Sequence, residues 1–97
     1  MQNLIDRWTR AGIRAQEERV RILELDGQLY ATSTSQPLGS YALRETPEGW
    51  TCECPANRMH ELPCKHLWAL ADALGLDLLS DIRVSAEFLG EASLHAA

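Results

Sequence analysis

Leu4, Ile5, Trp8, Ala11 and Ile13 form the first regular apolar pattern along the chain. Their spacing predicts a helix from about Leu4 to Gln16, within an N-terminal segment 1–17. Asn3 is placed to cap it, and Gly12 is its weak point. Arg7, Arg10 and Arg14 share the polar face. Over Glu18 to Leu25 the pattern changes to aliphatic residues, with Val20 and Ile22 alternating with arginines. Asp26-Gly27 follows as a hairpin-turn signal, and Gln28 to Ser33 reads as the returning strand, so residues 18–34 form a β-hairpin. Gln36-Pro37-Leu38-Gly39-Ser40 is a loop. Tyr41 to Arg44 and Trp50 to Cys52 predict a second hairpin around Thr46-Pro47-Glu48-Gly49.

Leu67, Leu70, Ala71 and Leu74 recur at i, i+3, i+4 and i+7, which predicts a helix from about Lys65 to Leu74. Gly75 stands where a left-handed residue ends a helix, and Leu76 can close over the last turn. Asp77 to Ile82 reads as one further short helix, and residues 77–97 as an extension that is partly disordered towards its end. The chain is therefore predicted as one α+β domain: an N-terminal helix, a small antiparallel sheet of about four strands and a closing helix.

Composition narrows the class. The chain has 97 residues, 45% hydrophobic and 24% charged, with a net charge of −5. Such a length supports only a modest core, so a structural metal would help. No apolar run reaches the roughly 20 residues of a membrane span, and the start lacks the basic and apolar regions of a signal peptide. A cytoplasmic protein with no membrane partner is expected. The acidic balance argues against indiscriminate coating of nucleic acid, but the charge is uneven. Residues 1–21 carry five arginines against three acids, whereas residues 67–97 carry one arginine against five acids.

The chemistry is concentrated in two pairs, Cys52-Glu53-Cys54 and Cys64-Lys65-His66, separated by a loop from Pro55 to Pro63. They use every cysteine of the chain. An odd number of thiols argues against a disulfide framework, and the spacing suits a tetrahedral zinc site. Residues i and i+2 of a strand point to one face, so Cys52 and Cys54 can meet one ion. On a helix the same offset is about 200°, so Cys64 belongs in the turn after Pro63 and His66 in the first helical turn. The helix N-terminus can then donate N–H groups to the sulfurs, and Lys65 can offset the anionic site. His60 is the rival fourth ligand and His95 a bystander. The competing explanation is a group of reduced core cysteines near an unrelated histidine. Four protein ligands leave no open position, so one zinc ion would be structural.

The segment from Tyr41-Ala42-Leu43 through Trp50-Thr51-Cys52-Glu53-Cys54-Pro55 to Cys64-Lys65-His66-Leu67-Trp68-Ala69-Leu70 resembles the SWIM-type zinc finger. The resemblance implies a ββα core over residues 41–76 and zinc on Cys52, Cys54, Cys64 and His66; most such fingers lie beside a larger domain, whereas this chain reads as a small stand-alone form, prokaryotic or viral. It also implies a module that binds DNA or other proteins, since such fingers occur in helicase-related proteins, transposases and recombination accessory proteins.

Two functions follow as expectations. The first is nucleic-acid binding through Arg7, Arg10, Arg14, Arg58 and Lys65, with Trp50 as a stacking platform or, alternatively, a core residue. The second is an adaptor for a helicase, recombinase or transposase. Trp68 lies some 120° from the centre of its helix stripe and would cover a seam against the N-terminal helix or a partner. The acidic C-terminal segment with Phe88 and Leu89 would be a docking tail or simply solvated. No Ser/His/Asp constellation, phosphate loop or carboxylate pair stands out, so an enzyme is not expected.

Overall fold

The structure, a computed structural model, describes residues 4–32, 39–60 and 62–83, without the side chains of Ala56, Met59 and His60. The expectations for Asn3, Ser33, Gln36 to Leu38, Phe88, Leu89, His95 and the tail lie outside these residues. Within them the elements are α1 (Leu4–Glu17), β1 (Ile22–Leu25), β2 (Gln28–Thr32), β3 (Ser40–Thr46), β4 (Gly49–Cys52), α2 (Pro55–His60) and α3 (Lys65–Leu74). The strands form one antiparallel sheet in the order β1-β2-β3-β4. This is the predicted α+β fold. No described helix is long and apolar enough to cross a membrane.

Turn chemistry sets the register of the first hairpin. Asp26 and Gly27 both adopt positive φ, 51° and 80°, which matches the primed turns that fit the twist of paired strands. Leu25 then faces Gln28 and Ile22 faces Ala31. Period-2 alternation carries this register across the sheet, so that Leu29 faces Leu43 and Leu43 faces Cys52. The first zinc-ligand candidate thus sits at the end of an apolar row.

Helix α3 packs on the sheet and α1 packs along α3. Leu43, Leu67 and Leu70 are the largest fully buried side chains, each contributing about 1.5–3 kcal/mol of apolar burial. The two helices meet at Gly12, where a Cβ would lie 2.6 Å from the Trp68 indole. The glycine that weakens α1 as an isolated helix is the position that admits the tryptophan. The Trp68 seam is therefore intramolecular along this edge, although the residue is only half-buried. Trp50 is also half-buried and packs against the core.

Four expectations need correction. Ile5, Ile13 and Leu74 are exposed. The buried stripe of α1 is Leu4, Trp8, Ala11 and Ala15 with Gly12, and at 100° per residue Ile5 and Ile13 turn away from it. The α3 stripe stops at Ala71, and Leu76, whose N–H bonds the Ala71 carbonyl, closes the end that Leu74 leaves open. Gly75 takes the left-handed cap at φ 71° as predicted. Residues 77–82 are not a helix. Asp77 and Asp81 accept backbone N–H groups in a turn, and the chain then lies along the outer edge of β4, where Ile82 bridges Trp50. Pairing with the sheet edge outweighs one more helical turn. Finally, the Pro55–Pro63 connection contains α2 rather than loop alone.

Candidate metal centre

The sequence places one cysteine pair at a strand end and the other pair at a helix start, and the fold brings them together. β4 ends at Cys52, and the Glu53 N–H still bonds the Ala42 carbonyl, so the backbone stays extended to the next ligand. At Cys54 the chain turns into α2, and the Arg58 N–H bonds the Cys54 carbonyl. Pro55 occupies the first helical position, where its missing N–H costs nothing. Cys64 has extended backbone, φ −128° and ψ 159°, and acts as the N-cap of α3. Its sulfur accepts the Leu67 N–H at 3.4 Å, and His66 stands in the first turn.

The three Sγ atoms and an imidazole nitrogen of His66 lie within 4.8 Å of one another, all buried. A tetrahedral zinc site with bonds of about 2.0–2.3 Å has ligand–ligand edges of roughly 3.5–3.8 Å, so this cluster is already within about an ångström of that size. Both ring nitrogens of His66 are buried without a hydrogen-bond partner, an arrangement that is costly unless something else engages them. Tyr41 packs against this ring, with centroids 5.0 Å apart at 57°, and helps to set its orientation. The Cys54 N–H donates to the Cys52 sulfur at 3.5 Å. A soft thiolate set with amide donors and an orphaned imidazole fits one structural zinc ion held by Cys52, Cys54, Cys64 and His66.

Without metal, three thiols this close cannot all ionise. Cys52 is pushed up to about 12, first because its hydrogen bond with Cys54 favours the protonated thiol, with burial adding to the effect. Hydrogen bonds from Cys52 and Cys64 instead hold Cys54 far below the usual thiol range. Burial pushes the Cys64 thiol up. One thiolate stabilised by two thiols is the metal-free state that this geometry favours.

Asn57 of α2, not singled out in the sequence, braces the centre. It is buried; its Oδ1 accepts the Cys52 N–H at 2.8 Å, and its Nδ2 donates to the Leu62 carbonyl at 3.1 Å. It therefore ties the strand carrying the first pair to the segment leading to the second. Pro55 immediately after a candidate ligand was the available signal for α2. Nothing in the pattern marked Asn57.

Arg7, Arg10 and Arg14 of α1 line one open cleft of about 510 Å³ with Lys65, Tyr41 and the zinc-site residues Cys54, Cys64 and His66. Glu18 bridges two of these cations. It bonds Arg14 Nε at 3.2 Å and also pairs with the Lys65 ammonium, whose side chain is only 11% exposed. Arg58 is exposed and faces a different cleft. Trp68 borders neither of these clefts and packs on Gly12 instead. The His60 side chain lies outside the described residues.

Comparison with curated proteins and with solved structures gives no match. Comparison with family models gives the SWIM zinc finger over residues 43–75, about a third of the chain, and this span contains all four ligands.

Proposed function

The chain carries a SWIM zinc finger over residues 43–75, and from that premise we propose that it is a non-enzymatic cytoplasmic module that binds nucleic acid, DNA foremost, as an accessory to DNA transactions. The observation that carries this reading is the cleft where three arginines of α1 and Lys65 of α3 converge beside the zinc centre. Four cations line it; Glu18 pairs with two of them, Arg14 and Lys65, and a three-thiolate zinc centre would carry a charge of about −1. Arginine forks suit phosphate oxygens, and the packing of α1 along α3, whose start the zinc clamp fixes, holds them beside Lys65. The excess positive charge is local, which reconciles phosphate binding with an acidic chain.

Fluorescence anisotropy of labelled single-stranded and duplex oligonucleotides with the zinc-loaded chain tests this reading. Binding should weaken as salt rises, and Arg10→Gln/Arg14→Gln should flatten the salt dependence. Absence of binding at low salt, or a double variant that binds like the parent, would refute it.

One observation favours an adaptor as the second reading. Ile5, Trp8, Trp68, Leu78 and Leu79 line a surface groove of about 210 Å³, with Ile5 and Leu79 exposed. A helicase, recombinase or transposase subunit docked there would remain bound through nuclease and high salt, and Ile5→Asp would release it.

A further inference from the structure

A second cationic cleft, of about 370 Å³, lies on the other side of the cysteine turn. Arg44 comes from β3, Arg58 from α2 and Arg83 from the strap along β4, and Thr51, Glu53 and Asn57 also line it. Residues remote in sequence are thus gathered at one place. The two clefts share a wall. Cys54 and Pro55 border the first, and Cys52 and Glu53 border the second. From Cys52 to Pro55 the backbone spans at most about 11 Å, a width that a nucleic-acid strand crosses within a few nucleotides.

Stability does not account for this gathering. Arg44 bonds Glu53 at 3.1 Å and Arg83 approaches Glu48 at 3.9 Å, but all four side chains are substantially exposed, and such pairs contribute little. Arg58 is exposed and makes no ion pair among the described residues. Set against Glu53 and Glu48, the carboxylates that pair with Arg44 and Arg83, the three guanidiniums leave an excess of about one positive charge, and both pairs are exposed enough to exchange a carboxylate for a phosphate.

We propose that the Arg44/Arg58/Arg83 cleft is a second phosphate-binding site for the same nucleic-acid strand, which crosses the Cys52–Pro55 turn from one cleft to the other. The zinc centre then works as a ridge that sets the spacing between the two groups of phosphates. Glu53 at its crest holds Arg44 when no phosphate is present and yields it when one arrives. The proposal rests on the nucleic-acid reading above.

The test uses the zinc-loaded full chain, a labelled oligothymidylate and a salt titration. Arg44→Gln/Arg58→Gln should lower affinity about 5-fold for each arginine replaced at 0.1 M salt, and reduce the log–log salt slope by about 0.7 for each. Glu53→Gln, which removes the competing carboxylate, should tighten binding, an effect that a merely structural arginine cluster would not produce. Unchanged zinc content and melting temperature establish that the variants are folded, and Glu53→Gln keeps the test open if the double variant does not fold. The inference is overturned if Arg44→Gln/Arg58→Gln and Glu53→Gln both bind like the parent while Arg10→Gln/Arg14→Gln is weakened, a result that leaves the first cleft standing. A parent chain that does not bind oligothymidylate or duplex overturns both readings. If polyglutamate competes only with the parent and the cleft variant still holds oligothymidylate normally, the second cleft serves an acidic peptide and the proposal fails.

Discussion

Replacing Asn57 with alanine removes two hydrogen bonds that join opposite halves of the zinc centre. The Cys52 N–H, 2.8 Å from Oδ1, is buried, so losing this acceptor imposes the cost of an unsatisfied donor, about 1–3 kcal/mol. The Leu62 carbonyl, 3.1 Å from Nδ2, is only part-buried and can recruit water, so its loss adds about 0.5–1 kcal/mol. A total of about 1.5–4 kcal/mol follows, equivalent to a fall in melting temperature on the order of 10 °C or more for a domain of this size. The assay is thermal unfolding at a buffered free-zinc concentration, because bound metal itself raises the apparent stability. Asn57→Leu separates causes. It refills the volume, so a loss similar to that of alanine assigns the effect to the hydrogen bonds rather than to a cavity. Zinc affinity should fall in parallel, by about 10-fold or more, as for other residues that orient ligands. A destabilisation below about 0.5 kcal/mol, the range of ordinary surface substitutions, would refute the bracing role.

Three further outcomes follow. Gly12→Ala should destabilise even though alanine favours helix by about 1 kcal/mol, because its Cβ would lie 2.6 Å from Trp68 ring atoms; overpacking costs about 1–3 kcal/mol, and a double-mutant cycle with Trp68→Leu should recover much of the loss. Zinc binding should release about two cysteine protons per ion at neutral pH, because Cys52, at about 12, and Cys64, raised by burial, hold protons in the metal-free state while Cys54 does not. Zinc binds the deprotonated thiols, so affinity should rise with pH by about 100-fold per unit across the neutral range; calorimetry in buffers of different ionisation enthalpy counts the protons, and a pH-independent affinity would contradict the thiol assignment. Lys65→Met should lower stability by leaving the Glu18 carboxylate with less compensation at the α1–α3 junction, and the loss should shrink in Glu18→Gln/Lys65→Met when both are compared by chemical denaturation.

Local signals were sufficient wherever a regular pattern ran long enough. Leu4, Trp8 and Ala11 of α1 and Leu67, Leu70 and Ala71 of α3 recur at helical spacing and are buried, and Asp26-Gly27 encodes its own turn. The role of Cys64 followed from geometry alone, since two ligands at i and i+2 cannot both lie on one helix. Other features depend on tertiary contacts. α2 has six residues, too few for periodicity to register. Residues 77–82 carry a helix-like pattern, but the edge of β4 offered backbone partners through Trp50. Gly12 reads as a helix defect until Trp68 is seen above it. The arginines of α1 were legible as one face, yet only the packing of α1 along α3 brings that face to the metal centre. Asn57 had no signal because both of its partners are backbone groups of other segments.

One zinc ion, closed by Cys52, Cys54, Cys64 and His66, holds the β4 end to the α3 start. Native mass spectrometry of the chain prepared with zinc under reducing conditions, beside Cys64→Ala, tests this clamp most directly. One zinc ion per parent chain is expected, with the metal lost from the variant. A Cys64→Ala chain that kept a full zinc ion would contradict it.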